Sequence, residues 1–285
     1  MPGTIDLDHV AVATEHRRDA WSRYRAELGG EWLGSGATVG FANNQLRYAS
    51  GMNLEILRPH RVAENDFLRR FLDRSGPGPH HLTFKVADIH VAIDAVTAGG
   101  YPPVSVNVEF REWMEAFLHP KASHGIVVQV AESHDEDWER PPPPEHFPPR
   151  LPTRPAALLR TTHAVASLSA ASALFEDVLL GEEVAQGMGS SDGHRVPEGT
   201  GRWRELAWPG GGRLRLLEPD GPGPLADWIG DRTGRLHHIA FGVDDPALLD
   251  GATPADDGTW VVAPEDNLGT RLVLEARSRP QPVRA

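Results

Sequence analysis

Two histidine pairs stand at matching places in the chain, His80 and His81 in "GPGPHHLTFKVAD" and His237 and His238 in "TGRLHHIAFGVDD". An imidazole carries a proton near neutral pH or donates a ring nitrogen to a divalent ion, so the groups that face it decide which chemistry is open. Alternate side chains of a strand face opposite ways. In "HHLTFKV", Leu82, Phe84 and Val86 share the apolar face, and His81, Thr83 and Lys85 share the other. In "NLEIL", Leu54 and Ile56 oppose Asn53 and Glu55; in "GIVVQV", Ile126, Val128 and Val130 oppose Val127 and Gln129. His81, Glu55 and Gln129 therefore lie on polar faces. The second half repeats part of this, with His238 opposite Ile239, Phe241 and Val243 and with Glu275 opposite Leu272 and Leu274, but Arg215 stands where the first half has Glu55. His80 and His237 are expected to face the other way from their neighbours, in packing or capping roles. If the strands curl into an open half-barrel, the polar faces converge on a hollow where imidazole and carboxylate oxygens suit a divalent ion.

The elements that position these residues come from a duplication. "LDHVAVAT" around His9 pairs with "TTHAVASL" around His163, "LEILRP" (54–59) with "LRLLEP" (214–219), and the two histidine-pair segments with each other, at nearly constant offset. Each half divides again. Residues 5–12 alternate like a half-buried strand, "HRRDAWSRYRAEL" sets Trp21, Tyr24 and Leu28 at helical spacing before a Gly29-Gly30 stop, and short β-like runs follow near 40–48 and 52–57. A strand from His81, a helix in "DIHVAIDAVTAGG" and strands returning by 124–131 repeat the order. The fourth unit has room for only about two helical turns. The expected fold is α+β, four tandem βαβββ modules in two half-barrel domains at 1–134 and 158–277. A proline-rich linker (135–157) joins them and a tail (278–285) follows.

A formal net charge of −12 and the lack of a basic stripe argue against nucleic-acid or anionic-membrane partners. Zero cysteines exclude thiolate ligands and disulfides, leaving N and O donors for any metal, and fit a cytoplasmic protein. No run approaches the ~18 apolar residues of a membrane span, and "MPGTIDLDHV" does not read as a signal peptide. Neither a G-x-S-x-G nor a phosphate-binding G-x-x-x-x-G-K-[ST] run is present.

With these residues in place, the chain resembles the vicinal oxygen chelate superfamily, which includes glyoxalases, bleomycin resistance proteins, methylmalonyl-CoA epimerases and extradiol dioxygenases. The N-terminal half is most similar to the epimerase branch through "LDHVAVA", "LEILRP", "HHLTFKVADI" and "FLHPKASHGIVVQV". The resemblance implies paired modules around a divalent ion (Co, Mn, Ni, Zn or Fe) held by His9, Glu55, His81 and Gln129. Glu and Gln are exchanged relative to the epimerases, and Glu55 becomes the expected base, since a neutral amide cannot take a proton from carbon. His163, His238 and Glu275 form a second, weaker ligand set of the kind iron dioxygenases use. The implied function is metal-dependent proton transfer on a small oxygen-chelating substrate, as in an epimerase, an isomerase or a glyoxalase-like lyase. A ring-cleaving or keto-acid dioxygenase using the C-terminal domain and a non-catalytic drug- or metabolite-binding protein are the alternatives. The C-terminal domain is expected to shape the cleft or a homodimer. Module pairing is open between first-with-second and first-with-fourth; the short "DRSGPGP" joint and the long linker favour the former.

Overall fold

The computed structural model describes residues 4–134, 141–189, 201–255 and 258–277. The first half runs β1 (Ile5–Ala13), α1 (Arg17–Trp21), β2 (Glu31–Ala37), β3 (Gly40–Arg47), β4 (Asn53–His60), α2 (Phe67–Ser75), β5 (Gly78–Val86), α3 (Ile89–Ala98), β6 (Ser105–Asn107), β7 (Trp113–Leu118) and β8 (Val127–Ser133). The second half repeats it with β9 (Ala157–Val165), α4 (Leu168–Ser172), β10 (Glu182–Gly189), β11 (Gly201–Ala207), β12 (Arg213–Pro219), α5 (Pro224–Ile229), β13 (Gly234–Val243), β14 (Ala252–Pro254), β15 (Trp260–Val262) and β16 (Leu272–Ala276). The abbreviated helix of the fourth unit is a single 3₁₀ turn, Pro246–Leu248.

Each half is one eight-stranded sheet, in the orders β2-β3-β4-β1-β5-β8-β7-β6 and β10-β11-β12-β9-β13-β16-β15-β14. Modules one and two thus share a sheet, joined where β1 runs antiparallel to β5, and modules three and four share the other through β9 and β13. The duplication reaches irregular detail. α1 and α4 both continue as a π-helical turn, at Ser22–Glu27 and Ala173–Val178, a rare backbone form placed identically in the two copies.

One face of each sheet is apolar and carries α1, α3 and α4. Val10, Val12, Leu54, Ile56, Leu82, Phe84, Val128 and Val130 of the first sheet belong to a single buried cluster with Leu158, Leu216, Ile239, Phe241 and Leu272 of the second. Phe84 meets Trp208 (ring centroids 5.2 Å) and Phe175 (6.2 Å), and Tyr48 meets Phe241 (5.1 Å), across the junction of the two domains. The junction is tight enough at Gly125 (φ +87°) that a Cβ there would overlap the backbone of Gly234. The described part of the proline-rich linker has no helix or strand of its own but is tied to the first domain. Ala156 N donates to Leu28 O (2.9 Å), Trp32 Nε1 to Pro141 O (2.8 Å), and Phe147 packs edge-on to Trp21 and Trp32. The loose tail expected at 278–285 lies outside the described residues. No helix among the described residues is long and apolar enough to cross a membrane.

The sheet's second face forms the hollow. Two helices absent from the sequence expectation, α2 and α5, close one end of it. Leu68, Leu72, Phe67 and Phe71 of α2 pack on Ala11, Ala13 and Leu57, and Leu225, Ile229 and Trp228 of α5 pack on Ala164 and Leu217.

Candidate metal centre

Ala11 is the local origin of the site, because it pairs with Glu55 on β4 and with His81 on β5. His9, two residues upstream on the same face, completes a buried group in which one ligand atom from each of His9, Glu55 and His81 lies within 4.8 Å of the others. His9 Nε2 is 3.5 Å and His81 Nε2 3.4 Å from the same atom, Glu55 Oε2. Both Nε2 atoms are buried and lack a hydrogen-bond partner. Orphaned polar atoms in a protein interior are costly, so two such nitrogens facing one carboxylate oxygen call for a shared partner. Donors lying about 2.0–2.2 Å from one ion sit roughly 3.4 Å apart when tetrahedrally arranged, and the residues present fit a divalent cation on that test.

The far side of each group is also fixed. Asp8 Oδ2 accepts from His9 Nδ1 (2.7 Å), and Glu55 Oε1 accepts from Asn43 Nδ2 (2.6 Å) and Gln45 Nε2 (3.2 Å), which leaves Oε2 aimed at the histidines. Burial opposes charge on His9, but the carboxylates of Glu55 and Asp8 outweigh it and carry the imidazole up to about 9. Burial likewise works against the Glu55 carboxylate, and the two histidines hold it well below the usual range nonetheless.

His80 does not face away from His81 as alternation predicts. The β1–β5 register slips between Ala11 and Val12, where His81 and then Pro79 pair, so His80 is the extra residue of a β-bulge, which re-aims its side chain. Its Nδ1 lies 2.9 Å from His81 Nδ1, and its ring stacks edge-on against Phe71 at 4.7 Å. Burial and the neighbouring His81 push His80 down to about 3. A neutral His80 can accept from His81 Nδ1–H, the tautomer that leaves His81 Nε2 free for an ion. Gln129 is buried on the same side, but its amide is engaged. Oε1 accepts from Thr83 Oγ1 (2.5 Å) and Nε2 donates to Glu115 Oε2 (2.5 Å), which also accepts from Trp113 Nε1 (2.7 Å). The converged group is His9, Glu55 and His81, with Gln129 beside it in a chain running to Glu115.

The second set is not brought together. Thr162 pairs with both Arg215 and His238, as Ala11 does with Glu55 and His81, so the counterpart of His9 is Arg160 and not His163. His163 pairs with Leu216 and Leu236 and shares their apolar face, where Nε2 meets His124 O at 2.7 Å and the ring meets Phe175. Burial, the largest influence, takes it down to about 4. His238 faces the hollow with the same bulged partner, His237, at 2.7 Å between Nδ1 atoms. Glu275 is bound to Arg160. His163 shares a residue type with His9 but not its register, whereas Arg160 matches His9 in position and not in type.

A sequence pattern of the glyoxalase/bleomycin resistance protein/dioxygenase superfamily matches residues 8–117, most of the first domain. The match lies within the first domain, and the second domain repeats the same strand order. Among solved structures, a mutant of 4-hydroxymandelate synthase from Streptomyces coelicolor aligns with 98% of this chain and 94% of its own, at a TM-score of 0.64 and 16% identity. That similarity shows the two-domain fold. Methylmalonyl-CoA epimerase from Mycobacterium tuberculosis covers 45% of this chain and 87% of its own at 21% identity and a TM-score of 0.39. A hypothetical protein from Bacillus halodurans covers 47% and 99% at 24% identity and 0.42. No curated protein matches the chain.

Proposed function

We propose that this protein is a metal-dependent enzyme that moves a proton on a small substrate offering adjacent oxygens, in the manner of an epimerase, isomerase or glyoxalase-like lyase. The observation that carries the reading is the approach of two partnerless buried Nε2 atoms to one carboxylate oxygen, at 3.4 and 3.5 Å. His9, Glu55 and His81 would hold a divalent ion, with Gln129 at the edge of the set. Such an ion supplies Lewis-acid polarisation of a carbonyl oxygen.

The remaining work falls to the chain. Asp8 and His80 fix the two rings, and Asn43 and Gln45 fix the carboxylate. Glu55 was the expected base, yet Oε1 is taken by two amide donors and Oε2 faces the ligand histidines, so we assign it to holding the ion. Glu115, half-buried on the same face and linked to Gln129, is the carboxylate left to accept the proton.

Elemental analysis of protein purified without chelator tests the reading. Wild type should carry an ion that His81→Ala and Glu55→Gln lose and Glu115→Gln retains. Full retention by His81→Ala overturns the proposal, and a wild type without metal favours a non-catalytic binding protein.

A further inference from the structure

The C-terminal hollow has the same backbone register as the N-terminal one but a different set of charges. Position by position, His9, Gln45, Glu55 and His81 become Arg160, Glu205, Arg215 and His238, because Gln45 pairs with Glu55 as Glu205 pairs with Arg215. Gln129, opposite Thr83, is matched by Val273, opposite Ala240. One imidazole survives of three nitrogen and oxygen ligands. The carboxylate that would serve an ion has moved across to the neighbouring strand, and a guanidinium points where it was.

The charged groups pair with one another, while the buried His238 Nε2 beside them has no hydrogen-bond partner. Glu205, 5% exposed, accepts from Arg215 Nε (3.0 Å) and Nη2 (2.6 Å) through Oε2, and from Arg213 Nη1 (2.8 Å) through Oε1. Arg160 bridges from Glu275 towards Glu205, its Nε 3.9 Å from Oε2. The Arg215 guanidinium also lies 4.6 Å over the Trp203 ring. A divalent ion beside His238 would face two buried guanidinium groups, with both carboxylates already committed to them. Isolated charges at such depth would be very costly, so the residues do not fit a metal.

We propose that in the C-terminal domain fixed guanidinium groups, Arg160 and Arg215, have replaced the ion of the ancestral module pair, making this hollow a metal-free structural core and leaving one metal site per chain. The proposal rests on the N-terminal reading only for that count of one. In the C-terminal domain the positive charge that ties β9 to its neighbours is covalently part of the chain and cannot be lost to a chelator. It also removes the open coordination positions that a C-terminal dioxygenase would need.

Equilibrium dialysis of the full-length, chelator-stripped protein against Co²⁺ tests this. Wild type and His238→Ala should bind one equivalent and His81→Ala none. A second equivalent in wild type that His238→Ala abolishes overturns the proposal. If wild type binds none, the N-terminal assignment fails while the C-terminal one stands, so the two are separable. The triple variant Arg160→His, Glu205→Gln, Arg215→Glu rebuilds the N-terminal set in the second register and should raise the count to two. A triple variant with wild-type circular dichroism and no second equivalent counts against it. Should that variant fail to fold, the His238→Ala comparison decides.

Discussion

At the scale of single residues, two side chains behind the ligand set, Asp8 and His80, set the terms. Each holds the outer nitrogen of a ligand imidazole, at 2.7 and 2.9 Å. Removing such a partner typically costs 10–100-fold in metal affinity, so Asp8→Ala and His80→Ala should each weaken Co²⁺ binding by about that factor without abolishing it. Competition titration against a chelator measures the change. His163 gives a separate, metal-independent prediction. Its folded value of about 4 lies below the 6.5 of an unfolded histidine. The unfolded chain therefore binds the proton first as pH falls, and the stability present above 6.5 is lost between 6.5 and about 4. The loss is of the order of 3 kcal/mol at one pKa unit per 1.36 kcal/mol. His163→Gln keeps a donor for His124 O and does not titrate, so its urea midpoint should fall less than that of wild type over this window. An equal fall would refute the assignment. The facing of His81, Glu55 and Gln129 was legible from strand alternation alone. That His80 joins them was not, because a bulge breaks the alternation and leaves no mark on the residue types.

At the scale of elements, the sheet carries the ligands and α2 closes the space around them. Four strands contribute side chains to the site, and the parallel β1–β4 and antiparallel β1–β5 pairings put Glu55 and His81 on either side of Ala11. The small residue at that point is what lets the two long side chains approach over it. α2 carries a sequence mark, Phe67, Leu68, Phe71 and Leu72 at helical spacing before Gly76, although it runs directly into the turn residues of "DRSGPGP". Its contribution is burial. Leu68 is fully buried against Ala11, Ala13 and Leu57, and Leu68→Ala should destabilise the fold by roughly 2–5 kcal/mol. Because Phe71 of the same helix packs on His80, the variant should also lower metal affinity; a stability loss with unchanged affinity would show that α2 is a lid without influence on the site. The second-domain register shows the opposite limit of sequence reading. The repeat foretold the module order of the second half, but a histidine at the wrong phase of β9 fell on the ligand position of β1, since sequence offers no check on register when only one strand face differs in chemistry.

At the scale of the whole molecule, the duplicated halves are not independent beads on a linker. Their apolar faces form one cluster, with Phe84 of the first sheet fully buried between Phe175 and Trp208 of the second half. Hydrogen bonds cross the same junction, from Asn267 Nδ2 to Tyr24 Oη (3.0 Å) and from Arg23 Nη2 to Asp250 O (2.7 Å). The internal-repeat pattern foretold two domains but could not foretell this, because alternation says that a face is apolar and not what covers it. A shared core couples the two unfolding equilibria: once one domain opens, the other exposes the face it had buried, and the separate transitions merge. Calorimetry of the metal-free chain should therefore give a single transition. Phe84→Ala, which removes a ring touching both halves, should lower stability by roughly 3–5 kcal/mol and shift that one transition as a whole. Two resolved peaks in wild type would show that the domains stand alone. Two peaks appearing only in Phe84→Ala would place the coupling in this ring. The metal sharpens the test, since an ion bound only in the first domain stabilises whatever unfolds with it. Co²⁺ should raise the midpoint of the entire transition, carrying along a C-terminal domain that has no ion of its own.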